Sequence, residues 1–160
     1  MIRGPKWLLL PGLVLAGIFP TEAQVDKVAI KTTGISCGLC AGLSEVYFRR
    51  MQGVDQVKIS LKNEAILLSY KPGAQFDPQQ IRKTLQPLGV GVVQFQISAH
   101  GQVRMNGGER LFTAGKDKFV LLDAIDSPTV PLSIPVVVEG ILLDKYTPME
   151  LKVLSVKTGP

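Results

Sequence analysis

The chain has 160 residues, of which 46% are hydrophobic and 19% charged, and its formal net charge is +5. These values are typical of one globular domain or two very small ones, and they exclude a disordered or collagen-like chain. Two cysteines and one histidine exclude a multi-bridge disulfide scaffold, a four-thiolate zinc site and a histidine-rich metal site.

The first 23 residues have the pattern of a secretory signal peptide. Arg3 and Lys6 precede an apolar run over residues 7–19, and Ala23 supplies the small residue that signal peptidase requires. The apolar run, about 13 residues, is shorter than the ~20 that a membrane span needs. We therefore expect an exported protein, periplasmic or secreted. We expect no stable membrane span once the signal peptide is cleaved after Ala23.

Residues 24–99 are predicted to alternate between strands and helices. Apolar alternation indicates strands, and apolar residues at helical spacing indicate helices. The predicted elements are a strand over 25–33, a helix over 38–52, a β-hairpin over 54–70, a helix that follows the N-cap Asp77, and a strand over 90–97. This βαββαβ order predicts a ferredoxin-like sandwich with two helices on one face of an antiparallel sheet.

The first predicted helix has one apolar stripe. Leu39, Leu43, Val46, Tyr47 and Met51 fall at helical spacing, and Gly53 ends the helix. The spacing predicts an amphipathic helix.

Cys37 and Cys40 form a CxxC pair between the first predicted strand and the first predicted helix. Thiols of exported proteins usually form structural disulfides, but a bridge across two residues closes almost no loop and removes little entropy from the unfolded chain. We therefore interpret the pair as a reactive or metal-binding site. Helix N-terminal N–H groups stabilise a thiolate and lower the pKa of the thiol. Two soft anionic sulfurs suit Cu(I) first and Hg(II) next, whereas Zn(II) normally takes four ligands.

Two long runs carry a resemblance, namely GISCGLCAGLSEVYFRRMQGVDQVKISLKNEAILLSYKP and FDPQQIRKTLQPLGVGV. Over about residues 25–99 the chain resembles the heavy-metal-associated domain family, which includes copper chaperones and a periplasmic mercury-binding protein. Ile35 stands where that family usually has Met, and Val90 where an aromatic often packs near the metal. The resemblance implies a non-enzymatic protein that binds a soft metal ion and transfers it to a protein partner, either a transporter or another metal-binding domain.

Few other residues offer ligands. His100 lies 60 residues after Cys40 and is interpreted as a solvent-facing residue at the end of a strand. Met51 is expected in the core, and Lys31 is expected to be solvated. The alternative function is a thiol–disulfide oxidoreductase that uses the same CxxC pair.

Residues 100–160 are predicted to form a small β-rich domain or extension, either a barrel or a sandwich. Breaks are expected at 100–102 and 106–108, and strands over 109–114, 118–122, 134–143 and 149–156. This part has no nucleophile–base pair, so we expect no enzymatic activity. Its aromatic residues are too few for a stacking platform, so we expect no nucleic-acid binding. The predicted fold class is thus α+β, a ferredoxin-like sandwich followed by a small all-β region.

Overall fold

A computed structural model describes residues 22–123 and 125–159. The predicted signal peptide lies outside the described residues except for its last two positions. No helix in the described ranges is long and apolar enough to cross a membrane. The elements are β1 (Gln24–Thr33), α1 (Gly38–Arg50), β2 (Val54–Ser60), β3 (Ala65–Tyr70), α2 (Pro78–Leu85) with a 3₁₀ turn (Gln86–Leu88), β4 (Gly91–Asn106), β5 (Glu109–Ala114), β6 (Asp117–Leu122), β7 (Pro135–Leu143) and β8 (Met149–Thr158).

The first four strands and the two helices form the ferredoxin-like part. Its strands lie in the order β2-β3-β1-β4, and every neighbouring pair is antiparallel. Because side chains alternate along a strand, β1 and β3 bury Val28, Ile30, Ile66 and Leu68 on one face, in the same core as Phe48 of α1. The predicted βαββαβ order is therefore present in this part of an α+β chain.

The predicted first helix is present as α1, and the face that it buries is not the one with most of the predicted apolar stripe. Its buried residues are Ser44 and Phe48, and Met51 is only partly buried. Ser44 tolerates burial because its hydroxyl donates a hydrogen bond of 2.8 Å to the carbonyl oxygen of Cys40. This small side chain lies against the core beside the large ring of Phe48. Four large apolar residues of α1 are exposed. They are here called the outer stripe: Leu39, Leu43, Val46 and Tyr47.

The last five strands close into a barrel that includes β4. One edge of β4 pairs first with β1 and then with β5, and residues 95–102 pair with β7 along the other edge. β5 pairs with β6, β6 runs parallel to β8, and β8 pairs with β7. The ring β4-β5-β6-β8-β7 is a five-stranded, OB-like barrel. The all-β region is therefore a barrel rather than a sandwich.

The break expected at 100–102 is wrong, because β4 is continuous from Gly91 to Asn106. The division predicted between residues 99 and 100 falls inside this strand, so the two parts of the chain share it. Gly101 is required there by close approach rather than by a turn. A Cβ atom at Gly101 would lie 2.8 and 2.9 Å from ring atoms of Phe112 and would also collide with the carbonyl oxygen of Thr113.

Two polar contacts join the helical layer to the barrel. Asp117, which is buried, accepts a hydrogen bond of 3.2 Å from the backbone N–H of Phe76. Arg82 of α2 donates to both carboxylate oxygens of Asp144, at 2.8 and 3.0 Å, and lies 5.0 Å from the ring centre of Phe95. A bidentate arginine–carboxylate pair fixes both position and orientation. These contacts hold the barrel on the α2 side of the ferredoxin-like part.

We predict that Gly101→Ala destabilises the whole protein. The added methyl group overlaps β5, and overpacking of this kind costs about 1–3 kcal/mol. Urea denaturation followed by circular dichroism measures the loss in the free energy of unfolding. Gly159→Ala is the control, since a Cβ there meets nothing within 4 Å. Two separate transitions, with only one shifted by Gly101→Ala, would contradict the shared strand.

We predict that Asp117→Asn stabilises the protein at neutral pH. Burial raises the pKa of Asp117 above its ordinary value, although the N–H of Phe76 favours the carboxylate. The wild type therefore loses stability as pH rises from the unfolded-state pKa, about 3.9, through the higher native-state pKa. Asparagine keeps an acceptor for Phe76 and has no charge, so its advantage should disappear at acidic pH.

The measurement for Asp117→Asn is the free energy of unfolding as a function of pH. Asp126→Asn serves as the matched control, because Asp126 is exposed. An identical pH dependence in the wild type and in Asp117→Asn would show that Asp117 is not responsible.

Candidate metal-binding site

The two cysteines lie at the N-terminus of α1. Cys37 is the N-cap residue, with an extended backbone, and its Sγ accepts a hydrogen bond of 3.0 Å from the backbone N–H of Cys40. The N–H of Ala41 donates to the carbonyl oxygen of Cys37 at 3.1 Å, which closes the first helical turn. Helix formation therefore brings the two predicted site residues to the same place, beside the backbone N–H groups that favour negative charge.

Cys37 and Cys40 are joined by a disulfide in this structure, with their Cα atoms 5.3 Å apart. Cys37 is exposed and Cys40 is half-buried, so another molecule can reach the pair. The thiolate, not the disulfide, is the metal ligand and the nucleophile. Metal binding at this pair thus requires reduction first.

The loop that carries Cys37 is held from below by packing. Ile35 is fully buried, and Val90 is buried as well. Gly34 has a φ of +83°, and a Cβ atom there would lie 2.8 Å from the carbonyl oxygen of Gly89. The CxxC loop and the loop after α2 therefore lie against each other.

His100, the other residue considered as a ligand, lies away from the cysteines. His100 contacts Asp26 through Nδ1 and pairs with Gln24 at the start of β1, whereas the CxxC loop follows the end of β1. His100 lies inside β4, so the prediction that it stands at the end of a strand is wrong. Lys31 donates a hydrogen bond of 2.6 Å to the carbonyl oxygen of Asn63. Over residues 22–123 and 125–159, no group of three or more His, Cys, Asp or Glu side chains could hold a metal ion.

The feature that sequence reasoning missed is the exposure of the outer stripe beside the cysteines. Ala41, Ser44 and Phe48 also fall at helical spacing, and this second stripe was the available signal. The sequence therefore contains two candidate inner faces, and only the packing distinguishes them.

The curated relatives match less than half of the chain. No protein-family model matches it. A stretch of 69 residues, 43% of this chain, is 31% identical to Copper-transporting ATPase 2 of Rattus norvegicus. Another comparison gives 26% identity over 74 residues, 46% of this chain, with the probable copper-exporting P-type ATPase of Archaeoglobus fulgidus. This chain contains a heavy-metal-associated-like domain. It spans only 5% and 9% of the length of these two relatives.

Two solved structures are similar to this chain over 42% of its length. The CopZ metallochaperone is 22% identical, with a TM-score of 0.39, and the similarity covers 42% of this chain and 98% of CopZ. The yeast copper transporter domain Ccc2a is 18% identical, with a TM-score of 0.38. This similarity covers 42% of this chain and 94% of the Ccc2a domain.

We predict that the side chain of Cys37 stabilises the protein by capping α1, independently of any reaction of its thiol. In reduced protein, Cys37→Ala removes the side-chain acceptor that caps α1, so the free energy of unfolding should fall by about 1 kcal/mol. Cys37→Ser keeps an acceptor and should retain most of that stability. Cys40→Ala is the control, because it removes a thiol and leaves the cap. Equal losses in Cys37→Ala and Cys37→Ser, measured by denaturation under reducing conditions, would contradict a capping role.

Proposed function

We propose that this protein binds one Cu(I) ion through the thiolates of Cys37 and Cys40 and carries, buffers or transfers it. The observation that supports the proposal is the convergence of two accessible sulfurs at a helix N-terminus. Similarity to copper-transporting ATPases supports copper as the cargo. We further propose that the protein is exported to the periplasm or secreted, and that it is not an enzyme.

The donor set favours a soft ion of low coordination number. Thiolates bind Cu(I) strongly, and two of them satisfy it, whereas a structural zinc site takes four ligands. Hg(II) has a similar preference for sulfur and is the second cargo that this pair suits. The N–H of Cys40, directed at Sγ of Cys37, stabilises negative charge on that sulfur.

Release follows from the exposure of the pair. A thiolate of the partner adds to the bound ion, and Cys37 or Cys40 then leaves it in turn, so the ion moves without a change in its charge. A partner with its own pair of cysteines, such as a transporter or another metal-binding domain, completes the exchange. Before loading, a dithiol reductant must supply two electrons and two protons to open the disulfide, and the reductant itself becomes a disulfide.

The disulfide itself favours a second candidate, thiol–disulfide exchange with another protein. In that reaction a thiolate of the substrate attacks one sulfur of the Cys37–Cys40 bond and forms a mixed disulfide. The other cysteine is released as a thiolate. A second thiolate of the substrate then attacks the mixed disulfide, leaving the substrate oxidised and the CxxC pair reduced.

Anaerobic titration of the reduced protein with Cu(I), in competition with a strong chelator, tests the proposal. We expect one tightly bound ion per chain, and we expect Cys37→Ser or Cys40→Ser to abolish tight binding because one sulfur remains. Ser36→Ala is the matched control, since Ser36 is exposed beside the pair. Failure of the reduced wild type to bind stoichiometric Cu(I), together with catalytic reduction of insulin, would favour the redox candidate instead.

A further inference from the structure

An open cleft lies between the ferredoxin-like part and the barrel. Its volume is about 1010 Å³, close to the upper end of the roughly 300–1,000 Å³ that is typical of small-molecule sites. One wall is the β3–α2 loop with the first turn of α2, and the other is formed by the β5–β6 turn, the start of β6 and the β7–β8 loop. Ligand sites occur preferentially where two parts of a fold meet in this way.

The cleft and the cysteines lie at opposite ends of β1. The backbone N–H of Gly73, in the wall of the cleft, donates a hydrogen bond of 2.7 Å to Oε1 of Gln24, the first residue of β1. The CxxC loop instead follows Thr33, the last residue of that strand. A strand of ten residues spans roughly 30 Å. The cleft is therefore separate from the candidate metal-binding site.

Asp117 is a buried charged residue that borders the cleft. It is only 4% exposed. Among the described residues, one hydrogen bond reaches its carboxylate, from the N–H of Phe76 to Oδ2. Burial raises the pKa of Asp117 by more than the Phe76 N–H and the charge of Lys116 lower it. The negative charge of Asp117 is therefore incompletely compensated by the protein itself.

The other two carboxylates of the cleft already have partners. Asp77 accepts hydrogen bonds from two backbone N–H groups as the N-cap of α2, and Asp144 accepts two from Arg82. The described residues contain no group of three or more His, Cys, Asp or Glu side chains that could hold a metal ion. The cation that suits Asp117 is therefore an ammonium group rather than a metal ion.

Positive charge surrounds the same cleft. Lys71 is exposed on the ferredoxin-like wall, and Lys116 and Lys118 are exposed on the barrel wall. A simple cation would be repelled by these three lysines. A ligand that carries a carboxylate as well as an ammonium group offers an opposite charge to both sets of residues.

The walls also carry groups that match a peptide. Three exposed carboxamides lie along the ferredoxin-like wall, and a carboxamide both donates and accepts hydrogen bonds, as a peptide group does. They belong to Gln75, Gln79 and Gln80. On the barrel wall, Tyr146 is exposed and Met149 is half-buried, so both offer apolar surface to a side chain of the ligand.

We propose that this cleft binds a zwitterionic amino acid or short peptide, with its α-ammonium group at Asp117 and its carboxylate among the three lysines. The ammonium group supplies the opposite charge that Asp117 lacks. Groups that serve binding often cost stability in the protein alone, which agrees with the stabilisation expected for Asp117→Asn. The inference does not depend on the proposed copper binding and assigns a second site to the chain.

An NMR titration of the isotope-labelled full chain with tri-alanine tests the two charge contacts. N-acetyl-tri-alanine lacks the ammonium group, and tri-alanine amide lacks the carboxylate. We expect acetylation to weaken binding about tenfold and amidation about threefold, because a charge-assisted bond to a buried group is stronger than an attraction to exposed lysines. The backbone N–H signals of Phe76 and Lys118 should shift, whereas that of Cys40 should not.

Substitutions test the residues of the cleft. Asp117→Asn should weaken the binding of tri-alanine about tenfold, and the variant stays folded because we expect it to be the more stable protein. Asp126→Asn is the matched control, since Asp126 is exposed and does not border the cleft. Lys116→Gln combined with Lys118→Gln should weaken the binding of tri-alanine and leave that of tri-alanine amide unchanged.

Several outcomes would overturn the inference. No signal shift with about 10 mM tri-alanine would show that the cleft does not bind this class of ligand. Equal affinity for the acetylated peptide, or for tri-alanine in Asp117→Asn, would show that Asp117 holds no ammonium group. Titration of Asp117→Asn with Cu(I) should give the wild-type stoichiometry, so each site succeeds or fails independently of the other.

Discussion

The pairing of β4 along both of its edges is the constraint on which the rest of the structure depends. This strand completes the ferredoxin-like sheet through β1 and also closes the barrel through β5 and β7. Gly101 lets β5 approach closely at the point where β4 changes neighbours. Because unpaired sheet edges attract other strands, coverage of β4 by β7 also removes one exposed edge of the ferredoxin-like sheet. The position of the barrel follows from this pairing.

The candidate site depends on local geometry more than on the barrel. Cys37 caps α1 and Cys40 belongs to its first turn, so the helix itself brings the sulfurs together. The two sulfurs form a disulfide in this structure, and in the proposed function the same atoms hold a soft ion only after reduction. A reductant therefore decides whether the pair is available to a metal. The packing of Ile35 beneath the loop fixes where the pair lies on the surface.

The exposure of the outer stripe has a cost in stability. Burying an aliphatic side chain contributes about 1.5–3 kcal/mol, so leaving several exposed forgoes stabilisation that the core could have used. The helix instead packs through Ser44 and Phe48, whose burial is compatible with close approach to the sheet.

The sequence by itself determined the order of the elements and the place of the cysteines, because alternation, helical spacing and caps such as Asp77 are local properties of the chain. It could not decide which stripe of α1 is buried, since two stripes have suitable spacing and the choice depends on contacts with distant strands. The sequence predicts a break at Gly101 for a similar reason: a glycine that admits a neighbouring strand has the same local pattern as one that forms a turn. Only tertiary structure could show that β4 continues through it, because the pairing partners of β4 lie far away in sequence.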